Sequence, residues 1–461
     1  MKNTTNFIFK LFSKPSEVTV YNPDEIEITF NGLIGLENAK DDLKDVVTYI
    51  KDPTSFDKLG IRPHMHYLIQ GPPGSGKTSL AYAVAREANI PIVVVNCKAF
   101  ADEKSRSFKL LKTAFSTAAS NEHAVLLFKN FEGFFQVNES FKVIFLGKLL
   151  ELMRNCENVV VISTLSTALA ISGGDYLFDE DAFSKTIDIL YPDLKTREAM
   201  YELFCTNIPV DKNVSFARLA RDSYEMTAQD IKQIIKNSAL LAIRNGSETV
   251  TREHFDEMIS LELLGQERKK MTDKERQCTA YHEAGHVIAH YFSDPNYKLS
   301  KVEVAYRTKS LGVTMEEVDE DKLSLFKADW ENRIIGCFGG MAAERVVFGA
   351  NTSGVVQDLA MATFYAKLMV SAFGMCDEFG PISICEVYSS DDDESAFRFS
   401  EHILEESDKH VRNILQTLYA RAYQTVMDHR AELEALTEAL LEKEVVYGNE
   451  IKEIFDKISQ N

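Results

Sequence analysis

Short apolar runs alternate with amphipathic stretches from Gly32 to about Asp193. The apolar runs are typical of buried strands, and the stretches between them have the three-to-four-residue spacing of helices. This alternation predicts a parallel sheet covered by helices. The strand candidates are HYLIQ (66–70), PIVVVN (91–96), AVLLF (124–128) and NVVVIST (158–164).

The rest of the chain has a mainly helical pattern. Residues 230–246 combine helical spacing with a closing Asn-Gly pair, which is a helix stop signal. Beyond Cys278 the only strand candidate is KVEVAY, residues 301–306. The predicted segments are an N-terminal arm (1–30), an α/β domain (31–193), a helical lid (194–265), a polar linker (266–277) and a mostly α-helical domain (278–461).

Composition excludes several classes of protein. The net charge of -19 argues against nucleic-acid binding, which needs a basic face. The seven cysteines contain no CxxC pair and indicate reduced thiols in a cytoplasmic protein. No apolar run approaches the roughly 20 residues of a transmembrane helix. FIFKLF, residues 7–12, is too short for a signal peptide, so we expect a disordered or locally packed arm, with contact to a membrane or partner as the alternative.

The segment GPPGSGKTS fits the phosphate-binding pattern G-x-x-x-x-G-K-[ST] between a predicted strand and a predicted helix. Its glycines let backbone N–H groups close around phosphates of ATP or ADP, beside a helix N-terminus. We expect Lys77 to reach the β- and γ-phosphates and Thr78 to reach Mg²⁺. A glycine-rich turn that binds nothing is the alternative. The candidate nucleotide site comprises Gly71, Pro72, Pro73, Gly74, Ser75, Gly76, Lys77, Thr78 and Ser79.

The strand candidate AVLLF ends in Lys129 and Asn130, where a phosphate-loop protein normally has an acidic residue that holds Mg²⁺. Two unit charges about 4 Å apart interact by about 4 kcal/mol at an effective dielectric constant of 20, so Lys129 disfavours Mg²⁺ there. Its ammonium could instead neutralise the phosphates, or point into solvent at the strand end. Asn130 cannot act as a base, so binding of Mg²⁺ is uncertain and hydrolysis is expected to be weak.

The second candidate site is the HExxH pattern in residues 282–286. On a helix, His282 and His286 are separated by four positions, so both imidazoles leave the same face and can hold Zn²⁺. Glu283 can then take a proton from the metal-bound water. The alternative is a solvated helix face that binds no metal.

A catalytic zinc needs a third protein ligand, and the spacing of residues does not choose it. His290 is one more i+4 step away, but on a straight helix it lies about 12 Å from His282 along the axis, too far to share one ion. We therefore expect His290 to pack or to support a ligand. Asp358, at the start of another helical pattern, and Glu344 are the two candidates.

The combination of phosphate loop, helical lid and downstream HEAGH domain resembles the FtsH family of AAA+ zinc proteases, from about Gly32 to Ile458. CTAYHEAGHV resembles the family's zinc helix, and residues 352–359, TSGVVQDL, are similar to its T-[ST]-G-x-x-[ND]-D-[LI] segment. The resemblance implies that Asp358 is the third zinc ligand. It also implies an α/β AAA+ module with a helical lid, followed by a mostly α-helical zinc-peptidase domain, and a hexameric assembly.

The ATPase half departs from the family, and the family's transmembrane helices are missing from this sequence. Each departure falls on a part used for hydrolysis or threading, which favours a degenerate module over random drift. The departing positions are Lys129 and Asn130 (Walker B), Ser166 (sensor), Asp179 and Ala182 (arginine fingers), and 101–107 (gripping loop, with only Phe100 nearby).

These features predict a zinc metalloendopeptidase that cleaves unfolded or flexible polypeptides, with an AAA+ module that binds nucleotide and turns it over poorly. The zinc ligands would be His282, His286 and Asp358, with Glu283 as general base. One alternative is a mixed ring with a complete FtsH-type protease that supplies the missing parts. Another is a non-enzymatic scaffold with structural zinc, although structural sites usually have four protein ligands.

Overall fold

The structure, a computed structural model, describes residues 18–97, 104–132, 139–166, 183–264, 271–295, 297–304, 312–316, 324–384 and 399–459. The chain divides into two compact units. The first contains Met1–Pro209 and Glu225–Lys236, and the second contains Val210–Tyr224 and Asn237–Asn461.

The first unit is built on a six-stranded sheet with the order β1-β3-β4-β5-β2-β6. Its strands are β1 (Val18–Tyr21), β2 (His66–Gln70), β3 (Ile92–Asn96), β4 (Ala124–Lys129), β5 (Val159–Leu165) and β6 (Lys185–Asp188). Its helices are α1 (Glu37–Lys51), α2 (Pro53–Leu59), α3 (Lys77–Ala88), α4 (Lys104–Ala119), α5 (Glu139–Asn155) and α6 (Leu194–Cys205). The four predicted strands are confirmed as β2 to β5, and all their mutual pairings are parallel.

Two apolar clusters cover the two faces of this sheet. Alternate strand residues such as Leu126 and Phe128 pack with α4 and α5, whereas Val125 and Leu127 pack with α1 and α3. Both faces are therefore buried, which explains the nearly continuous apolar runs in the sequence.

The prediction of an arm over residues 1–30 is wrong for its second part. β1 pairs antiparallel with β3, and the side chains of Tyr21, Ile26 and Phe30 are buried in the core. Strand formation here depends on the exposed edge of β3, a partner about 70 residues away that the local sequence does not reveal. Residues 1–17 lie outside the described residues.

The lid helices are divided between the two units. After α6 come α7 (Phe216–Asp222), α8 (Ala228–Arg244) and α9 (Arg252–Leu264). α8 ends as predicted, because Gly246 has φ +69° and Ser247 N–H donates to the carbonyl oxygen of Ala242.

The assignment of residues 194–265 to a lid separate from the C-terminal domain is thus only partly right, because α7 and α9 belong to the second unit. The physical reason is a polar network centred on Arg252. Arg252 bonds to Asp222 and Asp256, while Asp256 accepts a 2.7 Å hydrogen bond from the Tyr447 hydroxyl. Ser300 Oγ also donates to Asp222 at 2.6 Å.

The rest of the second unit is mainly helical, as predicted. The helices are α10 (Asp273–Ser293), α11 (Lys327–Phe348), α12 (Val356–Ser371), α13 (Glu401–Asp428), α14 (Arg430–Lys443) and α15 (Gly448–Ser459). The strands β7 (Leu299–Glu303), β8 (Val313–Glu316) and β9 (Val445–Tyr447) form an antiparallel sheet with the order β8-β7-β9. β7 confirms the strand candidate at 301–306, whereas the sequence did not reveal β8 and β9.

The linker prediction for residues 266–277 is wrong at its C-terminal end, because α10 already begins at Asp273. Thr272 and Glu275 form a capping box, in which each side chain accepts a hydrogen bond from the other residue's backbone N–H. Residues 265–270 lie outside the described residues. Within the described ranges, every helix is too short or too polar to cross a membrane.

Candidate metal centre and nucleotide loop

The metal centre depends on an unusually close approach of α10 and α11. A Cβ atom built on Gly285 would lie 2.4 Å from the Gly339 carbonyl oxygen, and one built on Gly339 would lie 2.4 Å from that of Gly285. Neither position therefore has room for a side chain. Gly340 similarly leaves space for the His282 ring, which a Cβ would meet at 2.6 Å.

This packing brings His282, His286 and Asp358 together. The two Nε2 atoms of the histidines are 3.1 Å apart, and Asp358 Oδ2 lies 3.1 Å from His282 Nε2 and 3.5 Å from His286 Nε2. Ligand atoms about 2.0–2.1 Å from a tetrahedral zinc ion are separated by about 3.3 Å. These three atoms could therefore bind one ion with little rearrangement.

The other ring nitrogen of each histidine has an acceptor. His282 Nδ1 lies 2.8 Å from Glu344 Oε1, and His286 Nδ1 donates to the Gly336 carbonyl oxygen at 2.8 Å. Such bonds fix the tautomer and direct the Nε2 lone pairs toward a common point, as in known histidine–metal sites. Glu344 also accepts hydrogen bonds from the N–H and hydroxyl of Thr352, in the loop that leads to Asp358.

The electrostatics of the cluster favour a cation. Burial opposes protonation of His282, but hydrogen bonds to Asp358 and Glu344 outweigh it and raise the pKa of His282 to about 10. Burial likewise opposes ionisation of Asp358, but bonds with the two histidines hold the pKa of Asp358 well below its usual range. A bound metal ion would therefore replace a proton as the partner of these carboxylates.

Glu283 lies beside this cluster on the same helix. Its side chain is buried, and Thr314 Oγ1 on β8 donates to its carboxylate at 3.0 Å. Burial raises the pKa of Glu283, although the charges of His286 and His282 and the bond from Thr314 counteract part of this effect. A Cβ on Gly312 would meet the Glu283 side chain at 2.6 Å, so a larger residue there would displace this carboxylate.

The alternatives for the third ligand are placed differently. Glu344 contacts Nδ1 of His282 and therefore supports a ligand. The Asp358 carboxylate lies close to the Nε2 atoms of both His282 and His286. His290 stacks on Tyr297 with ring centroids 4.6 Å apart, and burial lowers its pKa to about 3. It is a packing histidine outside the cluster. The roles of Thr314, Thr352 and Gly312 could not be predicted from the sequence.

In the first unit, residues 71–76 connect β2 to α3 and residues 77–79 form the first turn of α3, as predicted. Gly71, Gly74 and Gly76 all have positive φ, at +150°, +81° and +101°, so the loop needs glycine at these positions. Lys77 Nζ donates to the carbonyl oxygens of Gly71 and Pro72 at 2.7 and 2.6 Å. Burial lowers the pKa of Lys77 to about 8, against a raising effect of the Glu132 charge.

Lys129 and Asn130 lie at the end of β4, which β5 separates from β2 in the sheet. Asn130 adopts φ +57°, its N–H donates to Thr164 Oγ1 at 3.3 Å, and its amide donates to Asn96 Oδ1 at 3.4 Å. These contacts hold Asn130 between the ends of neighbouring strands. Lys129 is half-buried at the end of β4.

Glu132 is a carboxylate near the loop that sequence reasoning missed. Its Oε2 accepts a 3.3 Å hydrogen bond from the N–H of Ser166, the residue at the sensor position. Glu132 could have been identified from the sequence as an acidic residue two positions after Asn130. Phe100, residues 101–103, Asp179 and Ala182 lie outside the described residues.

Comparison with known proteins agrees with this two-part organisation. The family "ATPase family associated with various cellular activities (AAA)" matches residues 67–172, and "Peptidase family M41" matches residues 269–454. An ATP-dependent zinc metalloprotease FtsH 4 of Sphaerobacter thermophilus is 32% identical over 456 residues, covering 95% of this chain and 69% of that protein. An ATP-dependent zinc metalloprotease FtsH of Aquifex aeolicus is also 32% identical, covering 95% and 72%.

A third relative, FtsH 1 of Rhodopirellula baltica, is 30% identical over 463 residues, covering 96% of this chain and 68% of that protein. The fold and both sites therefore define a protein with an AAA module followed by a helical metallopeptidase domain. The chain belongs to the FtsH family of AAA+ zinc metalloproteases.

Proposed function

We propose that this protein is a zinc-dependent endopeptidase in which His282, His286 and Asp358 hold the metal ion. The observation that carries this proposal is the spacing of 3.1–3.5 Å among one ligand atom of each residue. Zinc bound there would polarise the scissile carbonyl and lower the pKa of a bound water. Glu283 would take a proton from that water and would then give it to the leaving amine.

The raised pKa of Glu283 suits this double role, because a general base works best when its pKa is near the operating pH. Thr314 holds the carboxylate through its 3.0 Å bond to one oxygen, which leaves the other oxygen for the water. Gly336 and Glu344 keep the imidazoles oriented while the substrate binds.

The substrate we propose is an extended polypeptide, from an unfolded or flexible protein. β8, which carries Thr314, is an edge strand that pairs with β7 alone among the described strands. A peptide in extended conformation can add to such an edge through main-chain hydrogen bonds, which places its backbone beside Glu283. A folded substrate has no free strand of this kind to offer.

For the AAA module we propose binding of ATP or ADP through Gly71–Ser79 with poor hydrolysis. Lys129 and Asn130 replace the Walker B acids, and the Asn130 amide hydrogen bonds to Asn96. Mg²⁺ would lack its usual carboxylate at Lys129, although Glu132 offers one nearby. Bound nucleotide would then stabilise the assembly, and threading would be weak.

We also propose a cytoplasmic homo-oligomer, a hexamer by analogy with the family. α12 supports an assembly face, because its side chains Val356, Met361 and Phe364 are 64%, 42% and 53% exposed. A mixed ring with a complete FtsH-type protease is the alternative favoured by the departures in the ATPase half. A non-enzymatic scaffold is disfavoured by the free carboxylate of Glu283 beside three potential zinc ligands.

The test compares wild type with Glu283→Gln for zinc content and for cleavage of a labelled unstructured polypeptide. Glu283→Gln should retain zinc and lose about 10²–10⁴-fold in activity, because only the proton transfer is removed. Glu438→Gln, at an exposed position of α14, is the matched control and should cleave like wild type. Equal cleavage by Glu283→Gln and wild type would refute the proposal.

A further inference from the structure

A second cluster of metal-ligating side chains lies in the peptidase unit, apart from the HExxH helix. Cys376, Glu378 and His410 each offer one ligand atom, and these atoms all lie within 4.8 Å of one another. The Cys376 thiol donates to Glu378 Oε2 at 3.5 Å. Thiolate, imidazole and carboxylate are three donor types that bind Zn²⁺ in proteins.

The backbone holds the two ligands from the turn in place. The N–H groups of Phe379 and Gly380 both donate to the Cys376 carbonyl oxygen, at 3.2 and 3.0 Å. This turn keeps Cys376 and Glu378 together. The Cys376 side chain is buried in the same apolar cluster as Phe379 and Val411, the residue that follows His410 on α13. The cluster therefore rests on packed core, and the Glu378 carboxylate faces solvent, from which an ion can enter.

We propose that Cys376, Glu378 and His410 form a second zinc site. A zinc ion with a thiolate at about 2.3 Å and a carboxylate oxygen at about 2.1 Å separates those two atoms by about 3.6 Å, close to the observed 3.5 Å. A small rotation of His410 completes three ligands, and water takes the fourth position. One thiolate and one carboxylate also balance the two positive charges of the ion.

Binding replaces the thiol proton with the metal ion. The S–H bond of Cys376 breaks, its proton passes to solvent, and the sulfur lone pair forms the bond to zinc. A bound cation favours the thiolate over the thiol, so metal binding and loss of this proton are coupled.

The site is separate from the catalytic cluster. Asp358 lies in the first turn of α12. Cys376 lies five residues beyond Ser371, the last residue of that helix. The 13 residues from Asp358 to Ser371 correspond to about 20 Å of helix. An ion at the second site would fasten the turn after α12 to α13. It would thereby fix the far end of the helix that presents Asp358.

The test uses Co²⁺ and Zn²⁺ on the full chain, because only this site has sulfur among its three ligands. Cobalt-loaded wild type should show a near-ultraviolet sulfur-to-cobalt absorption band, and Cys376→Ser should lose it. Cys337→Ser is the matched control, since burial raises the pKa of that thiol and it lies near Asp358. The control should keep the band.

Zinc stoichiometry gives the second measurement. Wild type should bind two equivalents per chain, and Glu378→Gln and His410→Gln should each bind one while keeping peptidase activity at saturating zinc. Both residues lie outside the core, so these variants should fold even if Cys376→Ser does not. A single equivalent in wild type, or a sulfur band that survives Cys376→Ser, would overturn the second site. Loss of zinc from the first site would instead abolish cleavage and leave the sulfur band.

Discussion

At the scale of single residues, Glu344 supports the metal cluster through His282 and is not one of its three proposed ligands. Its side chain is 1% exposed, and it bonds both to His282 Nδ1 and to Thr352. Burial raises its pKa, but these hydrogen bonds outweigh the burial and keep the pKa of Glu344 below its usual value. Glu344 therefore remains an anion that fixes His282 from behind.

Glu344→Gln should lower zinc affinity by about 10–100-fold, the usual effect of losing a partner of a metal-bound histidine. Cleavage should fall at limiting zinc and return toward wild type when zinc is added. Glu331→Gln, which removes a half-buried carboxylate paired with Arg421 near the start of the same helix, is the control and should change neither quantity. Competition with a chelator measures the affinity, and an unchanged value for Glu344→Gln would show that His282 is oriented by other contacts.

Lys77 should make nucleotide binding dependent on pH. Burial sets its pKa to about 8 before nucleotide binds, and phosphate oxygens would raise that pKa in the complex. Below pH 8 Lys77 is protonated in both states, so its contribution is constant. As pH rises above 8, the free protein loses the proton first, and affinity should fall by up to about tenfold per pH unit.

The measurement is the Kd for ADP between about pH 7 and about pH 9, with Lys77→Arg as control because a guanidinium stays protonated throughout. The arginine variant should bind more weakly but show a flat profile. A flat profile for wild type would mean that Lys77 is not in contact with the phosphates.

At the scale of secondary-structure elements, the crossing of α10 and α11 determines the metal centre. A methyl group at Gly339 would lie 2.4 Å from the Gly285 carbonyl oxygen and 2.7 Å from the His286 Cα atom. Because both neighbours are backbone, the helices would have to separate, and the histidines would move away from Asp358.

Gly339→Ala should therefore destabilise the protein by about 1–3 kcal/mol, the usual cost of overpacking, despite the higher helix propensity of alanine. It should also lose zinc. Gly147→Ala in α5 is the matched control, because a Cβ there meets no atom within 4 Å. That variant should be neutral or more stable by up to about 1 kcal/mol. Denaturant unfolding with zinc analysis tests both, and a stable, zinc-loaded Gly339→Ala would contradict the role of the close crossing.

At the scale of the whole molecule, the metal cluster and the phosphate loop lie in different units. We propose that the metal cluster with Glu283 supplies the groups for peptide hydrolysis, and that Lys129 and Asn130 stand in place of the Walker B acids. We therefore expect that the purified protein does not couple ATP hydrolysis to the unfolding of its substrate.

A stably folded, tagged protein should remain intact with and without ATP, while a permanently unfolded version of the same substrate should be cleaved at equal rates under both conditions. The physical reason is that pulling on a folded protein requires repeated nucleotide hydrolysis, which we propose is weak here because Lys129 and Asn130 stand in place of the Walker B acids. Gel analysis of the two substrates beside phosphate release measures this. ATP-stimulated degradation of the folded form would show that the AAA unit is a working motor.

The features that depend on neighbouring residues could be predicted from the amino-acid sequence. Four strands, the phosphate loop and the stop of α8 follow from local periodicity and glycine chemistry, and the start of α10 could have been read from its capping box. The helical pairing of His282 and His286 is equally local, because residues four positions apart share one face of a helix. The resemblance to a family added Asp358, which residue spacing alone had not distinguished from Glu344.

Contacts between distant groups depend on packing, and local sequence does not reveal them. β1 joins the sheet because the edge of β3 is available. α7 and α9 belong with the peptidase unit because Asp222 and Asp256 accept hydrogen bonds from Ser300 and Tyr447. Asp358 lies 76 residues from His282, and Cys376 lies 34 from His410, so packing rather than sequence spacing brings each pair together. Local sequence specifies which residues can bind a metal ion, and the close crossing of two glycine-bearing helices determines where the imidazoles converge.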